Sequence, residues 1–584
     1  MSIPTNKMKA VALLLKRVKT ARRQFRERGR DESLDGNLEK LRRELNRIRK
    51  LFEKVKNNEQ ELLHTLSKVD GHLRKLDSKR LNQDMNDICK RIRDSAQKLL
   101  PKGDFDDSSV EEDDDDRRVI LLHPSRPSSK QHKNQLPQHK KLNMNLRVLE
   151  TYERNCLLSL LVFPEGAVIK KRQTICWWIG EGFLESTNLK TAEEEGEDVI
   201  DKLLKSNVIL AYGNSECPIV NKFQINPLVR PKLVILSTEN HRSYPFPLRI
   251  PYSHIRSKWS LLEQKKVILG ENSLKPESRI NTIFNVGASY LNFGSQWLDK
   301  SIQNLKVLQL GRWQDSPSHH IEVGSEKFLQ KLQNQKNLTY LSLRGISRIS
   351  ELPPSITQLE RLQILDLKAC HNLETLPNDI SSMKSLTHLI LSQCYLLEGM
   401  PKGIEKLTQL QVLEGYVVGN SRKSPQRISE LANLKNLKRL SIHIGSEAVI
   451  KEGEFESWRE MLALEQLKIS WGVSCKGYSD IKVILPLRLK RLHLEGFPGE
   501  EIPEWLKPSK LPEGCKELKL MGGMLKSMNH EDNIGWRMEI VRLMYLKNLK
   551  LELTNLSKLF PLLRYAEIKQ NSKRTQMLSL NEDK

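Results

Sequence analysis

The sequence predicts a multidomain chain of α and α/β parts: an N-terminal helical coiled-coil region, a winged-helix domain and a C-terminal curved solenoid of stacked leucine-rich turns. Three observations carry this. A 24-residue phrase repeats without insertion between Leu338 and Leu413, and apolar residues recur in alternating steps of four and three from Leu34 onward. Between them, three helix-period segments are followed by two short apolar runs on either side of Gly213-Asn214-Ser215.

The repeat is the most specific. Leu338, Leu362, Leu386 and Leu410 each open a Leu-x-x-Leu-x-Leu-like run. Alternate residues of a strand share a side, so Leu341/Leu343, Leu365/Leu367 and Leu389/Leu391 point into a common core. Cys370 and Cys394 follow as small buried residues. Leu352-Pro353, Leu376-Pro377 and Met400-Pro401 end the first half, because Pro has no N–H for a ladder. Ile356, Ile380 and Ile404 then begin the returning convex segment. One such unit buries little alone, whereas stacked units share a core and curve, with parallel strands on the concave face. This leucine-rich-repeat solenoid is expected over 301–575. Its less regular repeats are Leu305/Leu308/Leu310, Leu437/Leu440/Ile442, Leu464/Leu467/Ile469, Leu489/Leu492/Leu494, Cys515/Leu518/Leu520 and Leu546/Leu549/Leu551, with Leu563/Ala566/Ile568 as a cap.

Residues 1–100 are expected to hold a basic arm and a helical coiled-coil region. Ten cations between Lys7 and Arg30 face Glu27 alone. Such a run reads as a solvated arm or as a contact for anionic membrane or nucleic acid. The stripe Leu34, Leu38, Leu41, Leu45, Ile48, Phe52 and Val55 resumes at Leu62 and needs a partner helix. Leu81, Met85, Ile88, Ile92 and Leu99 supply one by folding back, and a second chain is the alternative. Residues 101–141 combine an acidic block, Asp104 to Asp116, with a stretch rich in Pro, Ser, His, Lys and Gln, and read as a disordered linker. Weak metal binding and folding against the basic arm are the two further readings of that block.

The expected winged-helix domain occupies 142–235. Leu146, Leu149, Tyr152, Cys156, Leu157, Leu160 and Leu161 lie on one helical face that ends at Phe163-Pro164-Glu165. Ile175, Trp178, Ile179 and Phe183 mark a second helix, and Ala192, Val199, Ile200, Leu203 and Leu204 a third. Val208 to Tyr212 and Pro218 to Ile225 make the hairpin. Residues 236–300 are left as a connecting segment.

Composition bounds the function. The chain has 584 residues, 38% of them hydrophobic, with no apolar run near the twenty needed to span a bilayer. Eight cysteines are scattered without Cys-x-x-Cys or metal spacing, so the expected compartment is reducing: cytoplasmic, with the plasma membrane or the nucleus as alternatives. A formal charge of +24 favours acidic partners. No catalytic, metal or cofactor constellation stands out.

Cys156-Leu157-Leu158 through Phe163-Pro164-Glu165, then Trp178-Ile179-Gly180-Glu181-Gly182-Phe183, together with the repeats, resemble plant coiled-coil nucleotide-binding leucine-rich-repeat disease-resistance proteins. The family phrase runs Phe-Pro-Glu, then Trp-Ile-Ala-Glu-Gly-Phe. The resemblance implies a role in plant defence, with protein recognition on the concave face and self-association, or pairing with a complete receptor, through the N-terminal helices. Two departures stand against it. The phosphate-cradling Gly-x-x-x-x-Gly-Lys-Ser/Thr string is absent from the sequence. Where the family carries a Met-His-Asp nucleotide sensor before Leu228-Val229-Arg230, this chain has Ile225, Asn226 and Pro227. The expectation is a non-catalytic recognition and oligomerisation scaffold without its own nucleotide switch. The alternative is a nucleic-acid-binding regulator using the basic region and the winged helix. Glu197 to Asp201 spells a motif that the family carries in its coiled coil, but here its place is the third winged-helix helix.

Strand alternation nominates the partner-binding positions: Tyr340, Arg344, Lys368 and His388 in the regular block, then Lys438, Arg439, Lys468, Lys490, Arg491, Lys516 and Lys519. The later positions read as a cationic surface that steers an acidic protein partner, with Lys547 and Lys550 extending it.

Overall fold

The computed structural model describes residues 149–239 except 215–216, and 259–579 with interruptions, together with single positions between 11 and 45. The linker 101–141, the run Leu81 to Leu99 and most of the Leu34 stripe lie outside the described residues. Within the stretch read as a basic arm, Val11, Leu14, Leu15, Val18 and Ala21 are helical and buried. Their spacing is that of one helix face, so this part is packed rather than solvated. Leu38, Leu41 and Leu45 are likewise helical and buried.

The winged helix forms as its periodicity demands. Helix α1 (Thr151–Ser159) continues into a 3-10 turn, Leu160–Val162, and buries Cys156, Leu157, Leu160 and Leu161. Strand β1 (Ile169–Lys170) leads into α2 (Lys171–Glu181), which stops at Gly182, whose φ of 77° is a left-handed conformation that Gly adopts without a Cβ penalty. A capping box between Thr191 and Glu194 starts α3 (Ala192–Lys205), whose inner face is Val199, Ile200 and Leu203. Strands β2 (Ile209–Ala211) and β3 (Lys222–Ile225) form the antiparallel hairpin, and α4 (Arg230–Glu239) follows. The two-residue β1, unseen in the sequence, adds a third strand beside β3.

In the solenoid, β4 (Trp259–Leu262), β6 (Thr282–Asn285) and β8 (Val307–Gln309) alternate with β5 (Lys266–Leu269), β7 (Tyr290–Phe293) and β9 (Glu322–Val323), which pair in a small sheet of their own. Then come β10 (Tyr340–Ser342), β11 (Ile364–Asp366), β12 (His388–Ile390), β13 (Val412–Val418), β14 (Arg439–Ile444) and β15 (Gln466–Trp471). The series ends with β16 (Arg491–Phe497), β17 (Glu517–Gly523), β18 (Ile540–Met544), β19 (Tyr565–Asn571) and β20 (Arg574–Ser579). Strands β4, β6, β8 and β10 to β19 form one parallel sheet, and β20 closes its far edge antiparallel to β19.

Register follows the sequence phrase. Leu341, Leu365, Leu389 and Leu413 stand side by side in neighbouring strands, and they belong to one continuous core. The Cys370 and Cys394 thiols donate to the Leu343 and Leu367 carbonyls, each at 3.1 Å, so a small polarisable group satisfies a carbonyl where chains turn out of the sheet. Ile356, Ile380 and Ile404 are buried on short 3-10 turns of the convex side.

Three expectations shift. The sheet extends into the segment read as connecting, because β4 and β6 lie within 236–300. The repeat assigned to Leu546/Leu549/Leu551 has its strand earlier, at β18, with Val541 beside Leu518 and Leu543 beside Leu520. Met538 stands in the place of the opening Leu and hid the phrase. Lys547 and Lys550 therefore fall after the strand, off the concave sheet. Leu563/Ala566/Ile568, expected as a cap, continue the parallel ladder.

Candidate recognition surface

The winged helix sits on the concave sheet, across its first strands and reaching toward the last. Its core and the sheet's outward side chains are one apolar cluster, joining Phe163, Trp177 and Trp178 to Phe284, Val307, Trp313, Tyr340 and Ile364. Ring centroids of Trp177 and Phe284 are 4.7 Å apart, and those of Phe163 and Trp313 are 4.8 Å apart. Burying aromatics this size contributes about 2 to 3 kcal/mol each. Polar groups are matched at the boundary. Thr339 Oγ1 donates to the Gly180 carbonyl at 2.6 Å, and Glu181 accepts from both Trp177 Nε1 and Thr282 Oγ1 at 2.9 Å. A Cβ at Gly180 would overlap Tyr340 Cβ, so the absence of a side chain at 180 lets α2 lie this close to β10.

Charge completes the contact. Glu193 and Glu194, at the start of α3, meet Arg439 at 2.7 Å and Lys438 at 2.8 Å. Burial works against the Glu193 carboxylate, yet Arg439, His388 and Arg172 hold its pKa well below the usual range. Lys438 holds the Glu194 carboxyl down to about 2. His388 Nε2 lies 3.8 Å from Glu193, and its Nδ1 meets Thr387 Oγ1 at 2.9 Å. Arg172 donates to Gln466 on β15. At the wing, Arg542 donates to Cys217 Sγ at 3.1 Å and Asn214 to the Tyr565 hydroxyl at 3.3 Å.

The nominated positions thus divide. Tyr340, Arg344, His388 and Arg439 are buried. They are not an open landing surface, because the chain's own domain or their own neighbours cover them. Burial and the nearby Asp366 charge push the Tyr340 phenol up, and its hydroxyl donates to Gln309 at 2.6 Å. Arg344 is paired with Asp366 at 2.9 Å. Lys368 is half-buried and, after Arg439, helps hold the half-buried Glu414 carboxyl below its ordinary value against the opposing effect of burial.

The C-terminal positions stay accessible, but they are not simply cationic. Lys468 pairs with Glu495 at 2.7 Å, Lys490 with Glu465 at 2.8 Å, Arg491 with Glu517 at 3.3 Å and Lys516 with Glu539 at 2.6 Å. Lys519 is half-buried, and burial together with Arg542 lowers its pKa. Alternation singled out the cations and passed over the glutamates one strand away. Those glutamates were legible next to repeat positions: Glu465 after Leu464, Glu495 after Leu494, Glu517 before Leu518 and Glu539 after Met538.

Ile225, Asn226 and Pro227, at the position expected for a sensor, have a local task. Asn226 Oδ1 accepts from Leu228 N at 3.0 Å and its Nδ2 donates to the Asn207 carbonyl at 2.8 Å, turning the chain into α4. Ile225 is buried on β3 and Pro227 is exposed. In α3, Val199 and Ile200 face the core while Glu197 pairs with Lys171 and Asp198 with Lys190. Among the described residues, no His, Cys, Asp and Glu cluster is placed to hold a metal, and no helix is long and apolar enough to cross a membrane.

Residues 162–230 match the model for the disease resistance protein winged helix domain, and residues 295–577 that for a leucine-rich repeat region. The chain is 28% identical over 434 residues to disease resistance RPP13-like protein 4 of Arabidopsis thaliana, covering 72% of this chain and 49% of that protein. It is 22% identical over 227 residues to disease resistance protein Pik-2 of Oryza sativa subsp. japonica, covering 36% of this chain and 20% of that one. The chain thus spans half or less of the length of these relatives. Among solved structures, it overlaps the PEPR1-AtPEP1 complex at 15% identity and a TM-score of 0.27, over 50% of this chain and 48% of that one.

Proposed function

We propose, for a chain that is similar to plant nucleotide-binding leucine-rich-repeat disease-resistance proteins in its winged helix and its repeats, the role of a non-catalytic defence scaffold. It recognises a protein partner through the C-terminal part of the concave sheet and assembles through its N-terminal helices, in the cytoplasm. The observation that carries this reading is the division of the sheet. Its first strands are filled by the winged helix, and β15 to β17, with the residues leading into them, present accessible, charge-patterned positions at Lys468, Lys490, Arg491 and Lys516. Paired charges of this kind add little affinity but select a partner whose own charges match.

The chain carries no nucleotide switch of its own in this reading. The missing phosphate-cradling string and the use of Asn226 in a backbone turn both support that. Pairing with a complete receptor would supply the switch. Two measurements on the purified full chain test the proposal. Charge reversal at Lys490, Arg491 and Lys516 should weaken capture of a genuine partner by about tenfold, and unchanged capture and salt dependence would overturn the recognition surface. Saturable, magnesium-dependent retention of ATP or ADP would overturn the absence of a switch.

The nucleic-acid reading is disfavoured by one placement. The third helix of the winged helix, which would enter a groove of duplex DNA, begins with Glu193 and Glu194 and is seated against Lys438 and Arg439. Tight duplex binding with a steep loss on adding salt would restore that reading.

A further inference from the structure

A groove of about 770 Å³ lies between the wing and the C-terminal strands. Pro218 and Ile219 of the wing form one wall, and Leu487, 74% exposed, and Ile540 lie on the solenoid side. It is a composite of two domains, held in register by the contacts of Cys217 with Arg542 and of Asn214 with Tyr565. A cleft of this size with apolar walls suits one or two side chains of a peptide segment.

Its charges are layered. The Lys490 and Lys516 side chains are 60% and 62% exposed, whereas their partners Glu465 and Glu539 are 29% and 25% exposed. The carboxylates are recessed and the ammonium groups project, each with three N–H donors of which a single carboxylate takes a share. Arg488 adds a guanidinium at the rim. The outermost layer is therefore cationic, although the ladder beneath it is balanced.

We propose that the chain's own acidic segment, residues 103–116, occupies this groove and shields it from an outside partner. The proposal rests on the reading of the C-terminal strands as a recognition surface. The segment holds nine carboxylates and no cation, with Phe105 and Val110 set among them. That complements apolar walls set among projecting cations, with the recessed carboxylates already paired beneath them. Asp116 precedes Leu149 by 33 residues, a tether of roughly 110 Å when extended. The fourteen-stranded sheet is roughly 60 Å across at the usual strand spacing, so the segment reaches any part of it. A tether of this length presents its end at an effective concentration of about a millimolar. Rim ion pairs and one apolar anchor suffice at that concentration, and a partner must outcompete them.

Zero-length carbodiimide cross-linking of the full chain, followed by peptide mapping, tests this. The expected product joins carboxylates of 104–116 to Lys490 and Lys516, and its yield falls by about tenfold on Phe105→Ala with Val110→Ala or in 0.5 M salt. Cross-links confined to Lys7, Lys9, Lys16 and Lys19 of the basic arm would overturn the proposal, as would links spread over distant lysines such as Lys402. A second arm uses a synthetic peptide of residues 103–116. A full chain with the block's Asp and Glu changed to Asn and Gln should bind it about tenfold more tightly than the unaltered chain, whose own segment competes. Equal binding would contradict the proposal. If the links are absent while charge reversal at Lys490 and Lys516 still abolishes partner capture, this inference falls and the recognition surface stands. Links present with partner capture unaffected give the converse.

Discussion

Glu193 of the winged helix and Arg439 of the solenoid meet at 2.7 Å across the boundary between the two domains, with side chains only 14% and 8% exposed. They come from positions 246 residues apart in sequence, so the pair forms only when α3 is seated on the sheet. A buried pair is weak proof of net stabilisation, yet it is costly to break from one side, because the remaining charge stays enclosed.

The first prediction concerns pH. The folded-state pKa of Glu193 lies below that of an unfolded chain, about 4.3. Its contribution is therefore complete above pH of about 4.3 and is lost progressively as pH falls toward the folded value. Hydrogen-exchange protection across β12 to β14, taken relative to the intrinsic rate at each pH, should fall below that pH in the unaltered chain and much less so in Glu193→Gln. An identical acid response in both would contradict the assignment.

Gly180→Ala should disturb the seat of α2 without touching the charge cluster. The added methyl meets Tyr340 Cβ, an atom fixed to the backbone of β10, so the helix must lift. Overpacking of this kind costs about 1 to 3 kcal/mol. Tyr340→Gly removes the opposing Cβ and should recover part of the loss of protection at 339–342, whereas Tyr340→Ala should not.

Leu365→Ala removes a fully buried side chain from the middle of the repeat core. A loss of about 2 to 5 kcal/mol is expected in urea unfolding. Leu487→Ala, at a 74% exposed position, should change stability by less than about 0.5 kcal/mol.

How much of this was legible beforehand depends on whether the signal was local. The repeat phrase was, since Leu341, Leu365 and Leu389 differ only by a constant offset and their register follows. The winged-helix core was legible from helical periodicity at Val199, Ile200 and Leu203. The docking was not. Tyr340 reads as an outward strand position, and nothing within a repeat says that the core of a distant winged helix packs on it. Val541 and Leu543 escaped because Met538 replaced the opening leucine and insertions had shifted the spacing. The charge ladder escaped because alternation ranks positions along one strand, whereas Lys490 and Glu465 are neighbours across two.

A double-mutant cycle on Glu193 and Arg439, read by urea unfolding of the full chain, tests the seating of the winged helix on the concave sheet most directly. With Glu193→Gln, Arg439→Gln and the combination, a coupling energy of about 1.5 to 3 kcal/mol is predicted for residues in direct buried contact. Additive effects, with coupling below about 0.3 kcal/mol, would mean that the two side chains do not meet and that the concave face stands open.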